Sequence, residues 1–318
     1  MKYKLLLYIL LMLGLKQAMA YTKPNIIVAQ DGSGNYKTVQ EAINAAPGNQ
    51  TKETVIYIKP GVYKEKIVLP VAKTHITLTS SDSKSTILTY DDFASKKDSA
   101  GKNIGTSGSA SFYVYGAYFK AENLTFQNSS GPVGQAVAVW VGGDKAVFNN
   151  CRFLGFQDTL YTHSSVVGQF YKDCYIEGTT DFIFGAATAW FEHCEINCKA
   201  GGRYITAAST PDSVKYGYVF NKCTITGDAP NDSYYLGRPW RPYAKTVFIN
   251  CDLSAAIKAE GWAVWHNKDD LKTTYYAEYK NTGKGFLPAG RVNWSHQLTD
   301  DEAKQYQIGK VFKGWNPL

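Results

Sequence analysis

Five copies of one six-residue frame recur through the middle of this chain. They are Phe148-Asn-Asn-Cys151-Arg-Phe153, Tyr171-Lys-Asp-Cys174-Tyr-Ile176, Phe191-Glu-His-Cys194-Glu-Ile196, Phe220-Asn-Lys-Cys223-Thr-Ile225 and Phe248-Ile-Asn-Cys251-Asp-Leu253. Each has an aromatic residue, a cysteine three positions later and an apolar residue two beyond that. Phe119 to Leu124 fits the same frame, with Glu122 in the cysteine position. Successive cysteines are 23, 20, 29 and 28 residues apart. A short strand recurring at that interval, with no helical apolar period between copies, points to a solenoid. Cysteine and the apolar residue at i and i+2 share a strand face, and their apolar character makes it the inner one. The expected fold is all-β: a right-handed, single-stranded parallel β-helix. A β-sandwich does not explain five copies in one phase.

Two short helices are expected to close the ends of the solenoid. Thr38-Val-Gln-Glu41 and Thr299-Asp-Asp-Glu302 both read as capping boxes. The first leads into the apolar stripe Val39, Ala42, Ile43 and Ala46, suited to plugging an open end and covering its strand edges. Capped solenoids of this kind are expected to be monomers. The chain carries 6 cysteines. Five belong to the repeat, where free thiols act as small hydrophobes. Strands about 4.8 Å apart lie within disulfide reach, and Cys174–Cys194, spanning the shortest coil, is the candidate bridge.

Residues 1–20 read as a signal peptide: Lys2 and Lys4, an apolar run from Leu5 to Leu15, then Ala18-Met19-Ala20 as a cleavage site. The mature chain, 21–318, is then one domain, secreted and extracellular, without a membrane span. Removing Lys2, Lys4 and Lys16 lowers the formal charge from +7 to +4. That mild basic excess suits an acidic polymer, and no Lys/Arg cluster of the kind that tracks nucleic acid is present. The N-x-Ser/Thr sequons begin at Asn49, Asn123, Asn128, Asn231 and Asn293.

Coil spacing also organises the polar residues. Gln135 to Asp158 and Asp158 to Asp181 are each 23 residues, and Asp181 to Arg203 is 22, matching the 23 of Cys151 to Cys174. Gln135, Gln157, Asp158 and Asp181 should therefore converge on one outer face, the two carboxylates about 5 Å apart at the backbone. Two carboxylates that close do not ionise together easily. An arginine beside one of them, with Arg238 of Leu236-Gly-Arg-Pro-Trp240 as candidate, leaves one charged nucleophile and one protonated acid. Glutamine amides beside them are suited to an oxyanion. No Gly-x-Ser-x-Gly elbow occurs, and the histidines show no metal-ligand spacing, so neither a serine nucleophile nor a metal or other cofactor is expected.

The segments Gly134-Gln-Ala-Val-Ala138, Gly155-Phe-Gln-Asp-Thr-Leu-Tyr161, Asp181-Phe-Ile-Phe-Gly185 and Leu236-Gly-Arg-Pro-Trp240, in that order, resemble the signatures of the pectinesterase family. Asp31 to Tyr36 and Gly61-Val-Tyr63 resemble it too, so the likeness spans nearly the whole mature chain. The resemblance implies a parallel β-helix and hydrolysis of methyl esters in methyl-esterified homogalacturonan. It implies Asp181 as nucleophile, Asp158 as acid/base, Gln135 and Gln157 as oxyanion donors and Arg238 as the residue that orients the nucleophile. Trp240 would pack on sugar, and Thr106, Tyr161 and Phe184 would line the substrate cleft. Arg203, placed by coil spacing, would meet a galacturonate carboxylate or form a surface pair. One departure is visible. The segment Tyr276 to Gly285 ends Gly283-Lys284-Gly285, where the family pattern has proline at the middle position.

Two rivals share the solenoid. A lyase needs a calcium site of clustered acidic residues, and a backbone hydrolase needs carboxylates spaced to admit water; neither pattern stands in the sequence. The distinct alternative is a non-catalytic pectin-binding β-helix.

Overall fold

The computed structural model describes residues 24–164 and 168–318, and the leader expected at residues 1–20 lies outside them. Parallel strands stack into three sheets, one of eleven strands and two of seven. One coil shows the winding. Ala146–Asn149 lies in the first sheet, Arg152–Leu154 in the second and Leu160–Thr162 in the third, and Gln169–Lys172 begins the next coil in the first sheet. The chain is a parallel β-helix, as the repeat implied.

The repeated frame is not one strand, however. It crosses a corner between the first and second sheets, and a single residue before each cysteine makes the turn. Asn123, Asn150, Asp173, His193, Lys222, Asn250 and Lys280 all hold φ between 47° and 56°. This left-handed conformation suits Asn and Asp better than other non-glycine residues, which accounts for the polar residue at that place. The corner also corrects the register of the cysteine-free copy. Phe148 pairs with Ala121, so Leu124, not Glu122, stands at the cysteine level.

Aromatic residues stack along the inside. Phe148 and Tyr171, Tyr171 and Phe191, Phe191 and Phe220, and Phe220 and Phe248 lie 5.0, 4.7, 4.4 and 4.3 Å apart, within 10° of parallel. Each contact adds roughly 0.5–1.5 kcal/mol beyond the area it buries.

The five repeat cysteines run beside this ladder, and they and Cys198 are all free thiols. The expected Cys174–Cys194 bridge is absent for a geometric reason. In-register parallel neighbours point their Cβ atoms the same way, not at each other. Each Sγ instead meets the carbonyl of the aromatic position one coil below: Cys174 to Phe148 O at 3.5 Å, Cys194 to Tyr171 O at 3.5 Å, Cys223 to Phe191 O at 3.4 Å.

The first capping box forms as expected. Thr38 and Glu41 close it around the helix Val39–Ala45, with Val39, Ala42 and Ile43 buried in the solenoid end. Glu65 accepts from Val39 N at 2.9 Å and Gln40 N at 3.0 Å, fastening the helix to the coil below. The second box also forms, but its helix, Asp300–Ala303, is four residues long and buries none of them. It does not close the far end. The C-terminal segment returns along the outer face of the first sheet, where Phe170, Trp190, Val219 and Val247 need cover and receive Val311 and Phe312. Irregular chain closes the far end instead: Phe286, Val292 and Trp294 pack on the core, around a buried ion pair of Arg291 and Glu278 at 2.6 Å.

Candidate active site

The passage from the second sheet into the third carries the aspartates, Asp158 in the turn before Leu160–Thr162 and Asp181 at the start of the strand Thr180–Gly185. Leu160 pairs with Ile183 and Tyr161 with Phe184, and the same offset of 23 sets Asp158 beside Asp181. Both adopt left-handed backbone, with φ of 67° and 51°. Such a bend costs free energy at most non-glycine residues, and less at Asp or Asn. Here it turns the two side chains out of the coil while Phe182 and Ile183 remain wholly buried. Gly185 ends the second motif because a Cβ there would lie 2.1 Å from Thr162 O. Gly237 plays the same part in the later motif, where a Cβ would meet Thr206 Oγ1 at 2.0 Å. These close approaches hold the strands that aim Asp181 and Arg238.

Arg238 grips Asp181 with both arms, Nε to Oδ1 at 3.0 Å and Nη2 to Oδ2 at 2.7 Å. Its guanidinium lies between two rings, 3.9 Å from the centre of Tyr204 and 3.8 Å from that of Trp265. Asp158 and Asp181 are each 4% exposed, so their environments decide their charge. Burial pushes the Asp158 carboxyl well above the ordinary carboxylate range and the Asp181 charge adds to this, against a Gln135 hydrogen bond and the more distant Arg238. Burial raises Asp181 too, and the shift stays upward although two Arg238 contacts pull the other way, so it is smaller than that of Asp158. The pair thus ionises in order, Asp181 first and Asp158 last.

Gln135, Gln157, Asp158 and Asp181 come together on the floor of a cleft of about 470 Å³. Gln135 pairs in the backbone with Gln157, one residue off the row expected from spacing, and its side chain still reaches Asp158. Tyr161 and Phe184 stack at 4.2 Å and form an aromatic wall, with Trp240 standing edge-on at 5.9 Å from Phe184. Thr106 also lines the cleft, from the short helix Gly105–Gly108, whose Ser107 hydrogen-bonds Tyr161.

Arg203 is not part of this cleft. An irregularity between Thr180 and Ile183 moves the register, so that Thr180 pairs with Tyr204 and Ile183 with Thr206. Tyr204 takes the place under Arg238, and Arg203 is left exposed at the surface. Sequence reasoning missed Tyr204 and Trp265. Tyr204 is one residue from the position that spacing picked, whereas Trp265 arrives on an irregular loop that carries no repeat. Among the described residues no group of three or more His, Cys, Asp and Glu is placed to hold a metal ion.

A carboxylate held by an arginine, a carboxyl beside it that gives up its proton later and two amides next to an aromatic trough are suited to acyl transfer on a sugar-borne ester. Comparison with known proteins agrees. A family model described as Pectinesterase matches residues 25–314. Pectinesterase 31 of Arabidopsis thaliana is 45% identical over 285 residues, covering 88% of this chain and 89% of that protein. The putative pectinesterase/pectinesterase inhibitor 45 of the same plant is 38% identical, and this chain spans only 49% of its length. Among solved structures, the pectin methylesterase from carrot superposes with a TM-score of 0.86 at 37% identity, covering 93% of this chain and 95% of that one. A pectin methylesterase in complex with a hexasaccharide gives 0.80 at 29% identity, covering 93% and 99%.

Proposed function

The chain belongs to the pectinesterase family, and from that premise we propose that it hydrolyses methyl esters at the galacturonate C6 carboxyl of pectin, releasing methanol and leaving pectate. Ionised Asp181 attacks the ester carbonyl carbon. The resulting tetrahedral oxyanion accepts hydrogen bonds from the Gln135 and Gln157 amides. Asp158 gives its proton to the departing methoxy oxygen as the C–O bond breaks, leaving an anhydride between substrate and Asp181. The Asp158 carboxylate then takes a proton from water, whose oxygen attacks the anhydride and frees both carboxylates. Arg238 keeps Asp181 ionised and aimed, and Trp240, Tyr161, Phe184 and Thr106 hold the sugar chain.

The observation that carries this reading is the unequal treatment of the two buried aspartates: a two-armed arginine on Asp181 and, on Asp158, burial beside a like charge. Its test is methanol release from highly methylated pectin with chain length followed in parallel. Methanol without scission supports it. Binding of pectin without methanol points to the non-catalytic alternative, and scission of de-esterified chains to a lyase or backbone hydrolase.

The same reading takes residues 1–20 as a cleaved export signal and 21–318 as one monomeric domain acting outside the cell on wall pectin. A mature N-terminus at Tyr21 supports it, and one at Met1 overturns it.

A further inference from the structure

The loops that leave the third sheet have two sides. One sends Trp240 into the catalytic cleft and Tyr243 away from it; the next sends Trp265 into the cleft and Thr273 away, just before Tyr275 opens the following strand of the first sheet. On the far side Tyr243 and Tyr275 meet Tyr216 and Tyr306 around a cavity of about 500 Å³. A neighbouring hollow of about 440 Å³ shares Lys215, Tyr216 and Gln305 with it. The two make one groove between these loops and the C-terminal segment. Tyr216, Tyr275 and Tyr306 rest partly on the apolar cluster beneath that segment, and all four tyrosines are half-buried.

Lys215 and Lys245 line the first hollow, and Lys310 and Lys313 the second. Lys245 Nζ donates to Val214 O at 2.5 Å and Lys310 Nζ to Lys304 O at 3.0 Å, while Lys215 Nζ stands 5.0 Å over the Tyr216 ring. Carbonyls and a ring, not carboxylates, hold these three charges, and the fourth lysine, Lys313, is exposed. The acids facing the groove are Glu302, occupied by Thr299 N and Oγ1 at 2.8 and 2.9 Å, and Asp212, which acts on Lys245 from a distance. Among the described residues, four cations thus face two anions.

Tyrosine faces suit the apolar side of a pyranose ring, and spaced ammonium groups suit carboxylates carried on successive rings. A neutral polysaccharide has no use for the lysines, and a nucleic acid calls for denser positive charge. We propose that this groove is a second binding site for de-esterified galacturonan, the anionic product of the cleft. The proposal rests on the pectin-esterase reading. Two loops join groove and cleft, so a chain already stripped of methyl groups would hold the enzyme beside ester still to be cleaved. Retention would then grow as de-esterification proceeds.

The test is native electrophoresis through gels cast with fully de-esterified polygalacturonate, comparing wild type with the Lys215→Glu/Lys313→Glu double variant. Both lysines are exposed, and coincident thermal melts would establish that the variant is folded. The expected result is roughly tenfold weaker retardation, from two surface charge contacts reversed. Methanol release from a short methylated oligogalacturonide should be unchanged. Trp240→Ala, which weakens the cleft, should keep a retardation that the added lysine changes remove. Retardation equal to wild type, or its loss together with altered release from the short oligomer, overturns the proposal. Absence of methanol from the wild-type protein would instead overturn the activity on which it rests, and the gels would still report on the groove.

Discussion

Arg238 and Asp181 face each other edge to edge, joined by two hydrogen bonds of 3.0 and 2.7 Å across 57 residues of sequence. The guanidinium cannot rotate away, because Tyr204 and Trp265 cover its two faces. The nucleophile's charge and direction therefore depend on one fork and two rings.

Arg238→Lys preserves the charge but not the fork, and lysine neither stacks flat nor binds two oxygens in one plane. It should lower kcat about 10- to 100-fold with a smaller change in KM. Trp265→Ala should cost roughly 0.5–2 kcal/mol of transition-state stabilisation, the worth of one cation–π contact. Steady-state kinetics on one pectin preparation check both. An Arg238→Lys enzyme at the wild-type kcat would show that the fork is dispensable.

The dyad should give a bell-shaped rate profile. Activity falls as pH drops through the Asp181 pKa, which removes the nucleophile, and as pH rises through the Asp158 pKa, which removes the acid. Asp158→Asn should remove the alkaline limb from whatever activity remains.

The raised Asp158 pKa also affects stability, with a definite sign. A carboxyl whose folded pKa lies above its unfolded value of about 3.9 stabilises the fold fully below that value, and this contribution is lost as pH rises through the folded pKa. The amide of the Asp158→Asn variant does not ionise. Its Tm should exceed that of wild type at neutral pH and converge on it below about pH 3.9. A Tm difference independent of pH would speak against a buried, protonated Asp158.

At the far end of the solenoid, Arg291 and Glu278 are 3% and 0% exposed. Arg291 also donates to Lys258 O, Ala259 O and Gly285 O at 2.8–3.0 Å. Arg291→Leu strands a buried carboxylate and should cost about 3–5 kcal/mol in urea unfolding. Adding Glu278→Leu should restore part of it, since the stranded charge goes too. A double variant no more stable than the single one would place the loss in the carbonyl contacts.

The thiols are buried and free. Thiol reagents should therefore label none of the six cysteines in the native protein and all six on unfolding. Reductant should leave the Tm unchanged.

The sequence carried the architecture because the coil repeats. Equal spacing of Cys151, Cys174 and the two aspartates reports one physical fact, the length of a turn of the solenoid. Spacing failed where the coil is irregular. The bulge after Thr180 exchanged Arg203 for Tyr204, and Trp265 comes from a loop outside the repeat. Strand spacing alone permits a bridge in the cysteine ladder, whereas the shared direction of the Cβ atoms forbids it. The helix at Thr299 had its capping box, but a cap fixes where a helix starts, not what it covers. Apolar residues on the outside of the first sheet drew the C-terminal segment there.

The most direct test of the account compares methanol release from highly methylated pectin by wild type, Asp181→Asn and Asp158→Asn, with viscosity recorded alongside. The account predicts methanol without loss of viscosity from wild type, and a fall of more than about a thousandfold in each folded variant. Release by Asp181→Asn near the wild-type rate would contradict it.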